Sequence, residues 1–204
     1  TGQSFSGCPY CSRKRVGKDN NLAVRFPKLA KEWHPKKNES LTPRDLTYGS
    51  TKKVWWLCPK GHEYSMPVGR RTAHNPQGCP YCSGRRVGKD NNLAIKFPSI
   101  AKEWHPKNNG TLTARDVTIG SNRKVWWLCS KGHEYHTSIV GRTDKRRKSG
   151  CPYCAGVRVS HDNCLQATYP AIAREWHPTK NGTLTPQDVL PGGSRKKVWW
   201  LCPK

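Results

Sequence analysis

The sequence predicts a tandem array of small α+β modules, each a knuckled β-hairpin followed by short helices. Three observations point that way: a long internal repeat, a shortage of apolar residues, and close pairs of Cys and His at fixed spacing.

The repeat sets the organisation. Gly7-Cys8-Pro9-Tyr10-Cys11 recurs at 78–82 and 150–154, Glu32-Trp33-His34-Pro35 at 103–106 and 175–178, and Val54-Trp55-Trp56-Leu57-Cys58 at 125–129 and 198–202. The period is 71 to 73 residues, and its slips fall in loops after Thr143 and at Pro191-Gly192-Gly193. The expected division is therefore 1–11 as the end of a preceding module, 12–82 and 83–154 as whole modules, and 155–204 as a truncated third. Thr1 aligns with Thr72, and Cys202-Pro203-Lys204 stops where the other copies continue Gly-His-Glu-Tyr. Both ends are thus expected to cut through a module of a longer array.

Composition says what each module lacks and what it attracts. Only 34% of the 204 residues are hydrophobic, with three Phe and one Met. That is too little for one large core, and modules this small need a disulfide or metal staple. Lys and Arg number 37 against 13 Asp and Glu, a formal net charge of +24. Such an excess calls for a polyanionic partner and carries no information on fold. Apolar runs such as Val54–Leu57 are far too short for a membrane span, and no signal-peptide pattern is present.

Within one copy, Leu93, Ala94, Phe97, Ile100, Ala101 and Trp104 recur at helical spacing. Pro98 inside that pattern fits the first turn of a second short helix, where its missing N–H costs nothing. Thr42-Pro43-Arg44-Asp45 reads as N-cap, N1 and an acidic N3. Gly49-Ser50 marks a turn, Lys53–Leu57 a strand, Cys58–His62 a tight knuckle and Glu63–Val68 a returning strand.

The knuckles hold the chemistry. Cys58 and His62 precede Cys79 and Cys82, and Cys129 and His133 precede Cys151 and Cys154. Two close pairs of soft or borderline ligands match a closed tetrahedral Zn²⁺ site. Ligands two or three residues apart face one ion only if the chain reverses between them, which Pro59, Gly61 and Pro80 allow. A secreted disulfide scaffold explains neither the His in register nor the C-x2-C pairs, so a reducing, intracellular setting is expected. Cys8 and Cys11 are open to two pairings, with Cys58 and His62 or with an upstream pair. The first closes the larger loop at an extra cost of only about 1 kcal/mol. The short pairing is favoured because the hairpin already brings its halves together, and Cys8, Cys11 and Cys202 are then half-sites.

The run L-A-x-x-F-P-x-x-A-x-E-W-H-P, continuing to K-V-W-W-L-C-x-K-G-H-E-Y and G-C-P-Y-C, resembles the probable zinc-ribbon repeat family, often described as treble-clef. The resemblance covers nearly the whole chain. It implies a zinc-bound hairpin with a helix and a nucleic-acid association, and no catalytic activity. Ser12-Arg13 in place of Ser83-Gly84, and Ser130 in place of the knuckle Pro, depart from the pattern without touching a ligand.

The remaining residues divide into core and surface. Neighbours on a strand point to opposite faces, so one Trp of each pair Trp55-Trp56, Trp126-Trp127 and Trp199-Trp200 is expected against Trp33 or its copy. The other is left for the next module or a nucleobase, a structural role for both being the favoured reading. His34, His105 and His177 read as turn residues, and Cys164 as a free thiol. The recurring acids Glu32, Asp45 and Glu63 read as an exposed helix face, a cap and a strand residue. No paired-carboxylate or His-Asn-His nuclease arrangement is evident, and a closed four-ligand zinc has no position for water.

Basic residues cluster beside the metal: Lys52, Lys53, Arg123, Lys124, Arg195, Lys196 and Lys197 before the first knuckle; Arg70, Arg71, Arg142, Lys145, Arg146, Arg147 and Lys148 before the second; Arg85 and Arg86 after it. The expected function is non-enzymatic binding of RNA or DNA through phosphates, with no membrane partner, as in a structural component of a ribonucleoprotein such as a ribosome. The alternatives are a protein-interaction scaffold and the targeting module of a nuclease whose catalytic domain lies elsewhere.

Overall fold

The structure, a computed structural model, describes residues 7–12, 14–144, 146, 149–192 and 197–202. It divides into two compact units, Thr1–Asn91 and Asn92–Lys204. The division falls nine residues beyond Cys82 because the loop after C-P-Y-C folds back on its own knuckle. Asn91 Nδ2 donates to Tyr81 O and Arg86 O at 2.6 and 2.8 Å.

In the first unit, α1 (Leu22–Arg25) starts at Asn21, whose Oδ1 accepts from Val24 N. It lasts one turn because Pro27 forces Phe26 out of the helical region, to φ −136° and ψ 63°, and then opens α2 (Pro27–Ala30) at its first position. The chain leaves α2 as an extended edge alongside β1 (Lys53–Leu57). His34 N donates to Trp55 O at 3.0 Å, and Leu57 N donates to Glu32 O at 2.7 Å. Asn38 prolongs this edge with its side chain: the amide donates to Trp55 O at 2.9 Å and accepts from Trp55 N at 2.7 Å. A side-chain amide thus stands in for one residue of strand.

β1 pairs antiparallel with β2 (Glu63–Pro67), placing Trp56 opposite Tyr64 and Trp55 opposite Ser65. The expected alternation holds. Trp56 is fully buried and meets Trp33 edge to face, with centroids 5.7 Å apart at 78°, whereas Trp55 faces outward. Thr42 and Asp45 close a single turn: Asp45 Oδ2 accepts from both Thr42 N and Thr42 Oγ1, and Thr42 Oγ1 accepts from Arg44 N. The two bonds to Asp45 hold its carboxyl below the ordinary range.

Three expectations are corrected here. The returning strand ends at Pro67, and Val68–Thr72 forms a short helix, α3. Val68 is buried, and Gly69 N donates to Ser50 O at 2.7 Å, so this turn sits tightly on the Gly49-Ser50 corner. A Cβ at Gly69 would lie 3.0 Å from Gly49 O. The helix turns Arg71 inward. Its Nη2 lies 2.8 Å from Glu32 Oε2, and its guanidinium sits over Trp56 and Tyr64, 5.1 and 5.7 Å from their centroids. Arg71 therefore belongs to the core rather than to a phosphate-facing surface, and Glu32 is its counter-ion rather than a solvated helix residue. An enclosed guanidinium needs a carboxylate and π faces to offset its lost hydration.

The second unit repeats the pattern with α4 (Leu93–Lys96), α5 (Pro98–Ala101), β3 (Lys124–Leu128), β4 (Glu134–Ser138) and α6 (Ile139–Thr143). Trp104 meets Trp127 at 5.5 Å and 76°. Arg142, 7% exposed, repeats the inward turn, with Nη2 2.7 Å from Glu103 Oε2. Tyr135 OH donates to the same oxygen at 3.0 Å, and burial raises that phenol well above its ordinary pKa. Arg142 likewise leaves the predicted phosphate-contacting set. The same unit contains α7 (Leu165–Thr168) and α8 (Pro170–Ala173) of the third copy. There Cys164, buried, takes the N-cap place of Asn21 and Asn92 without a side-chain cap bond. Trp200 meets Trp176 at 5.4 Å and 83°.

Removing the carboxylate of the Arg71 pair should be the costly change. Glu32→Ala should destabilise the metal-loaded chain by about 2 kcal/mol, the value for a buried pair discounted for the partial exposure of Glu32. Glu32→Leu with Arg71→Met should cost less than Glu32→Ala, because no charge is left unpaired. Urea unfolding followed by tryptophan fluorescence measures both.

Candidate metal centre and its basic surround

Each first knuckle is a reversal at the end of a strand. Cys58 N donates to His62 O at 3.0 Å, and Gly61 N donates to Cys58 O at 2.8 Å. The reversal requires φ of +80° at Gly61 and +83° at Gly132, where a side chain would be strained. Ser130 replaces Pro59 and the bonds persist at 3.1 and 2.9 Å, so glycine rather than proline is the residue the turn demands. The second knuckle closes by Ser83 N donating to Cys79 O and Arg86 N to Pro80 O, each at 3.0 Å.

Together the knuckles assemble two four-residue clusters among the described residues: Cys58, His62, Cys79 and Cys82; and Cys129, His133, Cys151 and Cys154. In the first, His62 Nδ1 lies 3.4, 3.6 and 3.3 Å from the sulfurs of Cys58, Cys79 and Cys82, and Cys58 Sγ lies 3.8 Å from Cys82 Sγ. A tetrahedral ion with Zn–S near 2.3 Å and Zn–N near 2.0–2.1 Å spaces two sulfurs about 3.8 Å apart and a sulfur and nitrogen about 3.6 Å apart. The donors fit such an ion, and the sulfurs stand much too far apart for disulfides. The second cluster repeats these spacings, with 3.4, 3.6 and 3.4 Å to His133 Nδ1. The pairing is the short one. Cys8, Cys11 and Cys202 are exposed and join neither cluster.

The thiols ionise unequally in the absence of an ion. Burial resists ionisation of Cys58, but the backbone N–H groups of His62 and Lys60 and the neighbouring thiols bring it down to about 7. Cys82 is pushed up to about 12 by burial and by Cys79 and Cys58. Cys129 at about 7 and Cys154 at about 11 repeat the contrast for the same causes. Crowded thiolates repel one another until a cation joins them.

Sequence reasoning missed the group that aims the histidine. His62 Nε2 lies 2.9 Å from Asp90 Oδ1, and His133 Nε2 lies 2.8 Å from Asp162 Oδ1. The carboxylate holds the proton on Nε2 and turns the Nδ1 lone pair toward the sulfurs, the usual support of a metal-bound imidazole. Ser160 and His133 hold the Asp162 carboxyl down at about 2. A signal was present: Asp19, Asp90 and Asp162 each stand eight residues after the second Cys of C-P-Y-C, and each is followed by Asn. The Asn side chains clamp the loop, as Asn20 and Asn163 do on Tyr10 O and Tyr153 O.

His34 and His105 are buried turn residues. His34 Nδ1 accepts from Lys36 N and Lys37 N at 3.2 and 3.1 Å, leaving Nε2 to face Glu63 at 3.1 Å. Of the predicted basic residues, Lys52, Lys53, Arg70, Arg85, Arg86, Arg123, Lys124, Arg146 and Lys197 are exposed. Lys145, Arg147, Lys148, Arg195 and Lys196 lie outside the described residues. In the first unit Lys53, Arg70, Arg85 and Arg86 line one open groove of about 560 Å³ with Trp55 and Tyr81.

A hairpin knuckle and a C-x2-C knuckle clasping one ion through three Cys and one His define a treble-clef zinc finger, here repeated in tandem. The chain belongs to the family described as probable treble clef zinc finger domain, which matches residues 29–85, 100–157 and 172–204. A comparison with curated proteins finds no match. Among the described residues no helix is long and apolar enough to cross a membrane.

Asp162→Ala should weaken metal binding about 10- to 100-fold while leaving the metal-saturated fold intact. Competition against a chromophoric chelator, with near-ultraviolet circular dichroism at saturation, measures this. Apparent metal affinity should also fall as pH drops from about 8 to about 6, because the thiols must lose their protons to bind. The Cys82 thiol at about 12 makes proton release substantial even at neutral pH.

Proposed function

We propose that the chain is a non-enzymatic, zinc-stapled repeat protein that binds nucleic acid chiefly through phosphates. The observation that carries this is the groove of the first unit. Four cationic side chains border it: Lys53 of β1, Arg70 of α3, and Arg85 and Arg86 just after the knuckle that bears Cys79 and Cys82. Zinc is then structural. It fixes the loop from which Arg85 and Arg86 project, and Arg85 is further oriented by Ser83 Oγ at 3.0 Å and Gly78 O at 2.8 Å. Four protein donors leave such an ion no position for a reacting water. The net charge of +24 supplies the long-range attraction. Near-identical repeats on a polyanion suit a structural component of a ribonucleoprotein, in which affinity accumulates over many weak phosphate contacts.

Metal analysis of the purified chain should find zinc at two equivalents, one per four-residue cluster; iron in its place would overturn the assignment. The affinity for an RNA or DNA duplex should fall steeply with salt. Arg85→Gln with Arg86→Gln should reduce the slope of log K against log salt by about two. An affinity indifferent to salt would exclude phosphate binding and favour a protein-interaction scaffold.

A further inference from the structure

The repeats are nearly identical in sequence, yet their outward-facing tryptophans have different surroundings. Trp55 is 37% exposed on the open face of the first hairpin. Lys37 Nζ lies over its ring, 4.7 Å from the centroid. The residue paired with Trp55 across the hairpin is Ser65, which has no ring to lay on the indole. Trp55 then forms one wall of the groove bordered by Lys53, Arg70, Arg85 and Arg86. In the second repeat the cross-strand partner of Trp126 is His136, whose ring lies tilted against the indole, 5.1 Å away at 33°. Gly141 and Val157 stand where Arg70 and Arg85 stand in the first repeat. One repeat therefore sets its outward indole amid four cations, while the other sets an equally exposed indole beside His136 and lacks two of those cations.

We infer that the groove of the first repeat seats an unpaired base of RNA on Trp55, with the flanking phosphates on Arg70, Arg85 and Arg86, and that the second repeat has no such seat. The inference rests on the nucleic-acid reading above and adds the strandedness of the ligand and the repeat that reads it. An exposed aromatic within a cationic groove is the chemistry of single-strand binding, because a base offers its π face only when it is out of a helix. Loops of RNA carry unpaired bases as a rule. Lys37, itself paired with Glu63, covers one face of the indole and leaves the other face for stacking. Trp55 lies outside the buried cluster of Leu22, Val54, Trp56, Tyr64 and Val68, so its ring is free for a ligand without loss of core.

The test uses the full metal-loaded chain and fluorescence anisotropy with an oligouridine of about 12 nucleotides and an RNA duplex of the same length. Trp55→Ala should weaken the single strand by about tenfold or more and leave the duplex unchanged, and Trp55→Phe should stay within about threefold of the parent. Trp126→Ala should change neither. Metal content establishes that each variant is folded. Equal losses from Trp55→Ala and Trp126→Ala, or an equal loss on strand and duplex, would overturn the inference. A parent chain that binds both RNAs with a steep salt dependence, together with a silent Trp55→Ala, would remove the base seat and leave the phosphate reading standing. A parent that binds neither RNA would remove both.

Discussion

Three thiols and an imidazole within a few ångströms of one another form an unfavourable arrangement until a cation joins them. The two knuckles that carry them are separated by a hairpin strand, a short helix and a loop. The buried cluster of the first unit, built on Leu22, Val54, Trp56, Tyr64 and Val68 with two of the cysteines, is small for a domain. Modules with so little apolar surface cannot offset the entropy of ordering their chain. The ion turns crowded thiols from a repulsive group into a clasp, and the glycine at the reversal and the Asp–His pair behind it exist to present the donors. The basic loop after C-P-Y-C inherits its position from that clasp, so under the proposed function the metal shapes the ligand surface without touching the ligand.

Each core adds a second device suited to a strongly basic chain. An arginine from the helix after the hairpin is drawn beneath two aromatic rings and paired with the glutamate of E-W-H-P. The same positions do this in both hairpin-bearing repeats, Arg71 with Glu32 and Arg142 with Glu103. Cationic residues are therefore of two kinds. Some, Arg71 and Arg142, are enclosed, paired with a glutamate and part of the packing; others, such as Arg70, Arg85 and Arg86, stand exposed on the groove. A tally of charge merges them, and only burial separates them.

That distinction marks where sequence reasoning succeeds and where it stops. The repeat, the two helices split at proline, the hairpin, the inward and outward tryptophans and all eight cluster ligands follow from periodicity and spacing, which are local properties. The inward arginines were not legible, because Arg71 looks like any other member of Arg70-Arg71 until α3 is known to exist and to face Trp56. That helix itself was hidden, since five residues after a strand show no helical period. Asp90 and Asp162 were legible in principle, recurring in strict register, but each lies in what reads as a solvated polar loop. Their partner is a histidine 28 or 29 residues earlier, a distance at which no spacing rule operates.

The loop that carries Asp90 has a consequence for how such arrays are cut and copied. Asp90 supports the histidine of one repeat, and two residues later Asn92 caps the first helix of the next, accepting from Ile95 N. The residue that supports one repeat's histidine and the cap of the next repeat's first helix are therefore only two positions apart. A recombinant fragment trimmed at the last cysteine would keep every ligand and lose the carboxylate that orients one of them. Duplication or deletion of a repeat is neutral to both neighbours only when it spans a full period, whatever its starting point. The near-constant 71 to 73 residue spacing is what that restriction would leave behind.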